Sequence, residues 1–288
     1  MASMRDIKRR RGSIQGTQQI TKAMKLVSTV KLQRARASAE RSKDYFSCMY
    51  DTVNSILKRV GHIEHKYLTS GASGKKAVIV ITSNRGLAGG YNSNVTKLVT
   101  RHPEWKKEDL EIYCLGNKGR ETFARYGYEI KFCDNEVVES PVYADAAALS
   151  AKLLASFAAG EIGEIYLAYT GFKNTVSHIP TLLKLLPVEI AEEEGSSEVK
   201  ESGAVMNFEP EDSEALDLLI PKYVTSLIYG ALRESIASEN GARMQAMDNA
   251  TSKAEEMISD LTLKYNRARQ GSITQELTEI IAGAEALG

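Results

Sequence analysis

The sequence predicts an α/β protein with long helices, in which two long terminal helices pack together and a doubly wound, mostly parallel α/β domain lies between them. Three observations carry that prediction. Each end of the chain holds a long helically spaced stretch with few breakers; strand-like and helix-like segments alternate in the middle; and the last stretch carries a stripe of small side chains.

From Ser3 to Val60 there is no proline, and glycine occurs only at Gly12 and Gly16. Apolar residues recur as Ile7, Ile14, Ile20, Met24, Val27 and Val30, a narrow seam of the kind a partner helix covers. The first segment, 1–60, is therefore a single helix roughly 80 Å long at about 1.5 Å per residue. Gly61 to Gly74, rich in glycine and serine, reads as a linker. Within 75–190, KAVIVIT (76–82), LEIYCLG (110–116), YEIKF (128–132) and EIYLAYT (164–170) read as short strands. Helical stretches near 93–102, 117–126 and 143–159 separate them, the alternation of a parallel doubly wound sheet. TVSHIPTLLKLLPVEI (175–190) suits more than one state and is assigned as a final strand. An acidic loop, 191–212, leads into a second long helix, 213–288, with Pro221 either tolerated near its beginning or marking its true start. In that helix Ala231, Ser235, Ser238, Ala242, Ala246 and Ala250 recur every three or four residues. Such a stripe admits another helix at short range, and the other terminal helix is the expected partner.

Lys plus Arg equals Asp plus Glu at 37 each, but the balance is a cancellation. Residues 1–43 hold 12 Lys/Arg against Asp6 and Glu40, while 189–217 hold 11 Asp/Glu against Lys200. Cys48, Cys114 and Cys133 form no C-x-x-C and have no histidine at ligand spacing, so neither a disulfide framework nor a zinc site is expected, and the chain is read as belonging to a reducing compartment. The opening MASMRDIKRRR lacks the apolar run of a secretory signal, and no stretch holds the roughly 20 apolar residues of a membrane span.

Several sources of chemistry fail on spacing. SNRGLAGGYN (83–92) follows a strand and precedes a helix, where glycine-rich loops cradle phosphates, but it lacks G-x-G-x-x-G and an acidic ribose partner. A tight strand-to-helix turn is the simpler reading. GASGKK (71–76) has Lys76 where a phosphate loop needs Ser or Thr. His62, His65, His102 and His178 are scattered and assemble no triad or metal cluster. KRRR (8–11) could grip phosphates, yet aromatic residues for base stacking are absent before Tyr45, so no nucleic-acid partner is expected. No catalytic residue, metal ligand or cofactor is assigned.

With DIKRRRGSIQGTQQITKAMKLVSTVKLQRA (6–35), TSNRGLAGGYN (82–92) and ASENGARMQAMDNATSKAEEMISDLTLKYNRARQGSITQELTEIIAGAEAL (237–287) in view, the chain resembles the γ subunits of F-type ATP synthases, of bacterial type, over nearly its whole length. Ile273-Thr274-Gln275-Glu276, with Glu279 and Gly283-Ala284, carries the most specific part of that likeness. The resemblance implies an antiparallel coiled coil of the two terminal helices turning inside a ring of α and β subunits. It also implies a central domain seated with ε on the membrane c-ring, at the cytoplasmic face of the cell membrane, so that this non-catalytic rotor couples ion flow to ATP synthesis or hydrolysis. On that reading Met24 faces β, Arg269 and Gln270 meet a β loop, and Ile280, Ile281, Ala284 and Leu287 turn in an apolar sleeve at the top of the ring. Basic residues of the first helix, from Lys8 to Arg11 with Lys22 and Lys25, would meet acidic loops of β. The segment from Pro187 to Phe208 is short and lacks cysteine, so the thiol switch of chloroplast relatives is not expected. Gly241 and Gly271 stand where a helix former is expected, and Asn84 and Ala88 depart from the family's turn.

Overall fold

The computed structural model describes residues 4–60, 65–188 apart from 70 and 72, and 212–285. The acidic loop assigned to 191–212 lies outside the described residues except for Asp212, as does Leu287. In chain order the elements are α1 (Met4–Val60), β1 (Lys76–Ile81), α2 (Tyr91–Thr100), β2 (Leu110–Leu115), α3 (Asn117–Tyr126), β3 (Glu129–Asp134), α4 (Tyr143–Ala158), β4 (Glu164–Phe172), β5 (His178–Leu186) and α5 (Asp212–Glu285). Contacts divide them into two units. One holds the described residues of Met1–Thr29 and Arg243–Gly288; the other is Val30–Ala242.

The Val30–Ala242 unit is built on a five-stranded sheet of order β3-β2-β1-β4-β5. β1 to β4 are parallel, as the strand-helix alternation predicts, and β5 joins β4 antiparallel at the edge, with Leu167 opposite Leu183 and Phe172 opposite His178. Val78, Val80, Ile112 and Cys114 face one way and pack with Val95, Val99 and Phe123 of α2 and α3. Ala77, Ile79, Ile81 and Leu115 face the other way. There they meet Leu149, Leu153 and Leu154 of α4, Leu216, Ile220, Val224, Ile228 and Leu232 of α5, and Val53 of α1. Helices on both faces explain why the central strands are continuous apolar runs and not alternating ones.

Three expectations change here. The described part of the linker is packed: His65 and Tyr67 are buried, the Val188 N–H donates to the Tyr67 carbonyl at 3.2 Å, and His65 and Lys66 both reach Asp217 of α5, at 3.2 and 2.8 Å. The Lys66 hydrogen bond holds the Asp217 carboxyl below its usual range. Pro221 does not mark the helix start, because α5 begins at Asp212; its ring sits inside the helix, and its carbonyl accepts the Thr225 hydroxyl at 2.7 Å. Part of the small-residue stripe packs into the α/β unit instead of against the other terminal helix's seam. Ala231, Ser235 and Ser238 are buried, and the Thr170 N–H of β4 donates to Ser235 Oγ at 3.4 Å.

Gly241 has its reason in the same layer. A Cβ there would stand 2.5 Å from His178 Nε2, an atom that is buried without a hydrogen-bond partner. Gly271 faces open space. Gly241→Ala is therefore expected to destabilise by about 1–3 kcal/mol through overpacking, against its helix propensity. Gly271→Ala is expected to stabilise by up to about 1 kcal/mol. Chemical denaturation followed by circular dichroism checks both signs.

Burial holds the His178 imidazole below its ordinary value of 6.5. The unfolded chain thus takes up that proton more readily, and stability should fall as pH drops below about 6.5, with this loss removed by His178→Gln. Melting curves of the two chains across that window test it.

Candidate functional site

The unit formed by the two chain ends is a helix pair. Along α1, Ile7, Arg11, Ile14, Gln18, Thr21, Lys25 and Ser28 are buried or half-buried, at alternating steps of four and three. Along α5 the same steps run through Met247, Thr251, Ala254, Ile258, Leu261, Tyr265, Ala268 and Ser272. A covered side chain every 3.5 residues on each helix is the spacing of a coiled-coil seam. Its cross-links are polar. Lys25 Nζ donates to Asp248 Oδ1 at 2.6 Å, the Thr21 and Thr251 hydroxyls lie 2.8 Å apart, Gln18 Nε2 donates to Glu255 Oε1 at 3.0 Å, and the Arg11 guanidinium stands 5.5 Å over the Tyr265 ring. One number rises as the other falls, so the pair is antiparallel.

The seam expected from Ile20, Val27 and Val30 is corrected: they are 63 %, 57 % and 48 % exposed. Ile7 and Ile14 do lie in the seam, but from Gln18 on a glutamine, a threonine, a lysine and a serine hold the helix contact, which leaves Ile20, Leu26 and Val27 turned outward. Met24 is half-buried beside that outward face. Two of the basic residues expected to meet another subunit, Arg11 and Lys25, are engaged inside the pair.

Beyond Ser272 the burial stops. Every residue from Ile273 to Ala284 is exposed, although the backbone stays helical to Glu285. Ile273, Leu277, Ile280, Ile281 and Ala284 recur at helical steps and make one apolar stripe, with Ile280 and Ile281 67 % and 59 % exposed. The polar side is knit within the helix: Gln275 Nε2 donates to Glu279 Oε1 at 2.9 Å, and the Thr278 hydroxyl to the Thr274 carbonyl at 2.8 Å. Arg269 and Gln270 are exposed at the last covered turn. Sequence reasoning singled out Ile280, Ile281 and Ala284 as contacts but did not place Ile273 and Leu277 with them, whose shared helical period was the available signal. A contiguous exposed apolar stripe on a helix is a surface that binds.

The start of the glycine turn is tied to α3 and to the loop after β3. Asn84 Oδ1 accepts the Asn117 N–H at 3.1 Å and its Nδ2 donates to the Asn135 carbonyl at 2.6 Å, while Thr82 Oγ1 accepts the Gly119 N–H at 2.8 Å and the Ser83 carbonyl accepts that of Lys118 at 3.0 Å. The first amides of α3, which could otherwise face an anion, are engaged by the chain itself. Ala88 is buried under the turn. No group of three His, Cys, Asp or Glu placed to hold a metal occurs among the described residues, and none of the described helices is long and apolar enough to cross a membrane.

An antiparallel pair of terminal helices with an unpartnered tip, in a chain that also carries a doubly wound α/β unit, defines a subunit that works through helix-borne contacts. The family model described as ATP synthase matches residues 3–287. An ATP synthase gamma chain of Lachnoclostridium phytofermentans is 62 % identical over all of both chains. One from Alkaliphilus metalliredigens is 45 % identical over 99 % of this chain and 98 % of its own, and a sodium-ion-specific gamma chain of Acetobacterium woodii is 40 % identical over 99 % of each. The fold is shared with the central stalk of the Tetrahymena thermophila mitochondrial ATP synthase, solved with its c-ring (TM-score 0.58, 24 % identity, 80 % of this chain and 99 % of that one). It is also shared with the rotor of the Euglena gracilis enzyme (TM-score 0.63, 16 % identity, 94 % and 98 %). The chain belongs to the gamma-chain family of ATP synthases.

Removing one hydroxyl of the seam pair, by Thr21→Val, is expected to cost about 0.5–1.5 kcal/mol. The double substitution Thr21→Val/Thr251→Val should cost less than the two single ones summed, and a double-mutant cycle by chemical denaturation reads the difference.

Proposed function

We propose that this chain is the central-stalk rotor of an F-type ATP synthase, non-catalytic by itself. It turns inside a ring of α and β subunits and couples ion flow through the membrane c-ring, which it meets together with ε, to ATP synthesis or hydrolysis. The complex sits at the cytoplasmic face of a bacterial cell membrane, with this subunit peripheral. The observation that carries the reading is the helical tip from Ile273 to Ala284, exposed throughout and striped with Ile and Leu, in a chain 62 % identical end to end to an ATP synthase gamma chain.

The contacts are those the family resemblance implies, and the exposure of most of these residues supports them. Ile280, Ile281 and Ala284, with Leu287 beyond the described residues, turn in the apolar sleeve, and Ile273 and Leu277 extend the same stripe. Arg269 and Gln270 offer a guanidinium and an amide to a loop of β, and Met24 faces β from α1. A rotor must leave each contact as it turns, so a few polar anchors and a short apolar stripe suit it better than a broad greasy face.

Co-purification of this chain with α and β subunits, and ATP hydrolysis that depends on its presence, tests the assignment; subunits that neither bind it nor respond to it would overturn it. Within an assembled complex, Arg269→Ala with Gln270→Ala removes charge-assisted hydrogen bonds worth about 1.5–3 kcal/mol. Hydrolysis should slow on the order of tenfold while assembly persists. An unchanged rate would take these two residues out of the coupling surface.

A further inference from the structure

Two cysteines of the α/β unit, which the rotor reading does not use, stand side by side. Cys114 of β2 is the register partner of Cys133 of β3, and an irregularity between Ile112 and Tyr113 brings them level: Ile112 lies opposite Ile130, but Tyr113 lies opposite Phe132. An unbroken register would set Cys114 against Phe132. Both cysteines belong to the sheet face covered by α2 and α3, Cys114 in its core and Cys133 at its border. Cys114 is wholly buried; Cys133 is half-buried on an edge strand, where its thiol donates to Asn135 Oδ1 at 3.6 Å.

Side chains paired on one face of neighbouring strands project side by side, so their Cβ atoms keep about the 4.8 Å spacing of the strands. A disulfide needs Cβ atoms about 3.8 Å apart, so a direct sulfur–sulfur bond here would be strained. One atom bonded to both sulfurs spans the wider gap. We propose that Cys114 and Cys133 form a dithiol site for a single bridging thiophilic atom, of the chemical class of monosubstituted trivalent arsenicals.

The step balances without an oxidant. In the hydrated arsenical two As–O bonds break and two As–S bonds form; the two thiol protons leave with the two hydroxides as water, and arsenic stays trivalent. Burial pushes the Cys114 thiol up to about 12, with Cys133 adding to the rise and Arg120 opposing it. Burial also raises Cys133, against Arg120. Both sulfurs are thus protonated at neutral pH and are poor thiolate nucleophiles for disulfide exchange, whereas the arsenical carries the protons away as water. Cys133, reachable at the edge, forms the first bond, and Cys114 closes the bridge and ties β3 to β2.

The test is intact-mass measurement of the folded full chain with phenylarsine oxide. One adduct per chain is expected, resistant to excess glutathione and stripped by 2,3-dimercaptopropanol. Cys48→Ser should keep it. Cys133→Ser, checked for folding by circular dichroism, should weaken binding by about 10²–10⁴-fold, the usual gain from a second tethered contact. Cys133→Ala repeats the test should the serine disturb the edge strand, and Cys114→Ser should match it. No stoichiometric adduct on the folded chain, an adduct that survives Cys133→Ser, or one lost in Cys48→Ser would overturn the proposal.

Discussion

The contact between α1 and α5 in the unit formed by the chain ends is closed by the Thr21–Thr251 hydroxyl pair, the Gln18–Glu255 and Lys25–Asp248 hydrogen bonds, and small residues such as Ser28 and Ala254. Polar layers of this kind add little net stability but allow only one register, since a slip of one turn would leave buried or half-buried groups unpaired. They also leave the larger apolar groups unused. Ile20, Leu26 and Val27 turn outward on α1, and from Ile273 to Ala284 α5 has no cover among the described residues. A helix pair that keeps Ile20, Leu26, Val27 and the stripe from Ile273 on its outside is unfinished alone, and other subunits complete it.

The second unit follows the opposite rule. Its central strands β1 and β2 are buried on both faces, and α5 contributes Leu216, Ile220, Val224, Ile228 and Leu232 to that core at steps of four. One helix thus carries a broad apolar face in one stretch, a polar and small-residue seam in another, and an unpartnered stripe at its end. Gly241 belongs to the first of these economies of space: it is small because His178 occupies the volume its side chain would need.

Much of this was legible in the sequence. The strand-helix alternation between Lys76 and Thr170 placed four strands and three helices within a few residues of their observed bounds, because runs such as KAVIVI and LEIYCL have no amphipathic alternative. The antiparallel edge strand was legible only as a strand, since Pro180 and Pro187 obscure its period and direction is set by the turn after Phe172. The seam was placed correctly at Ile7 and Ile14 and misplaced from Ile20 on, where hydrophobicity was followed. From Gln18 to Ser28 the α1 heptad is written in glutamine, threonine, lysine and serine, and only spacing against α5 reveals it. The reason for Gly241 could not be seen either, since His178 lies far from it along the chain. Asn84, a departure from the family's turn, proves to cap α3 and tether the loop after β3.

The central claim is that this chain moves. With a bead fixed to its α/β unit, in a complex with α and β subunits anchored to a surface and supplied with ATP, the account predicts rotation in one direction, one step for each catalytic site visited. Steady hydrolysis with a bead that never turns would contradict it and leave the chain a static scaffold.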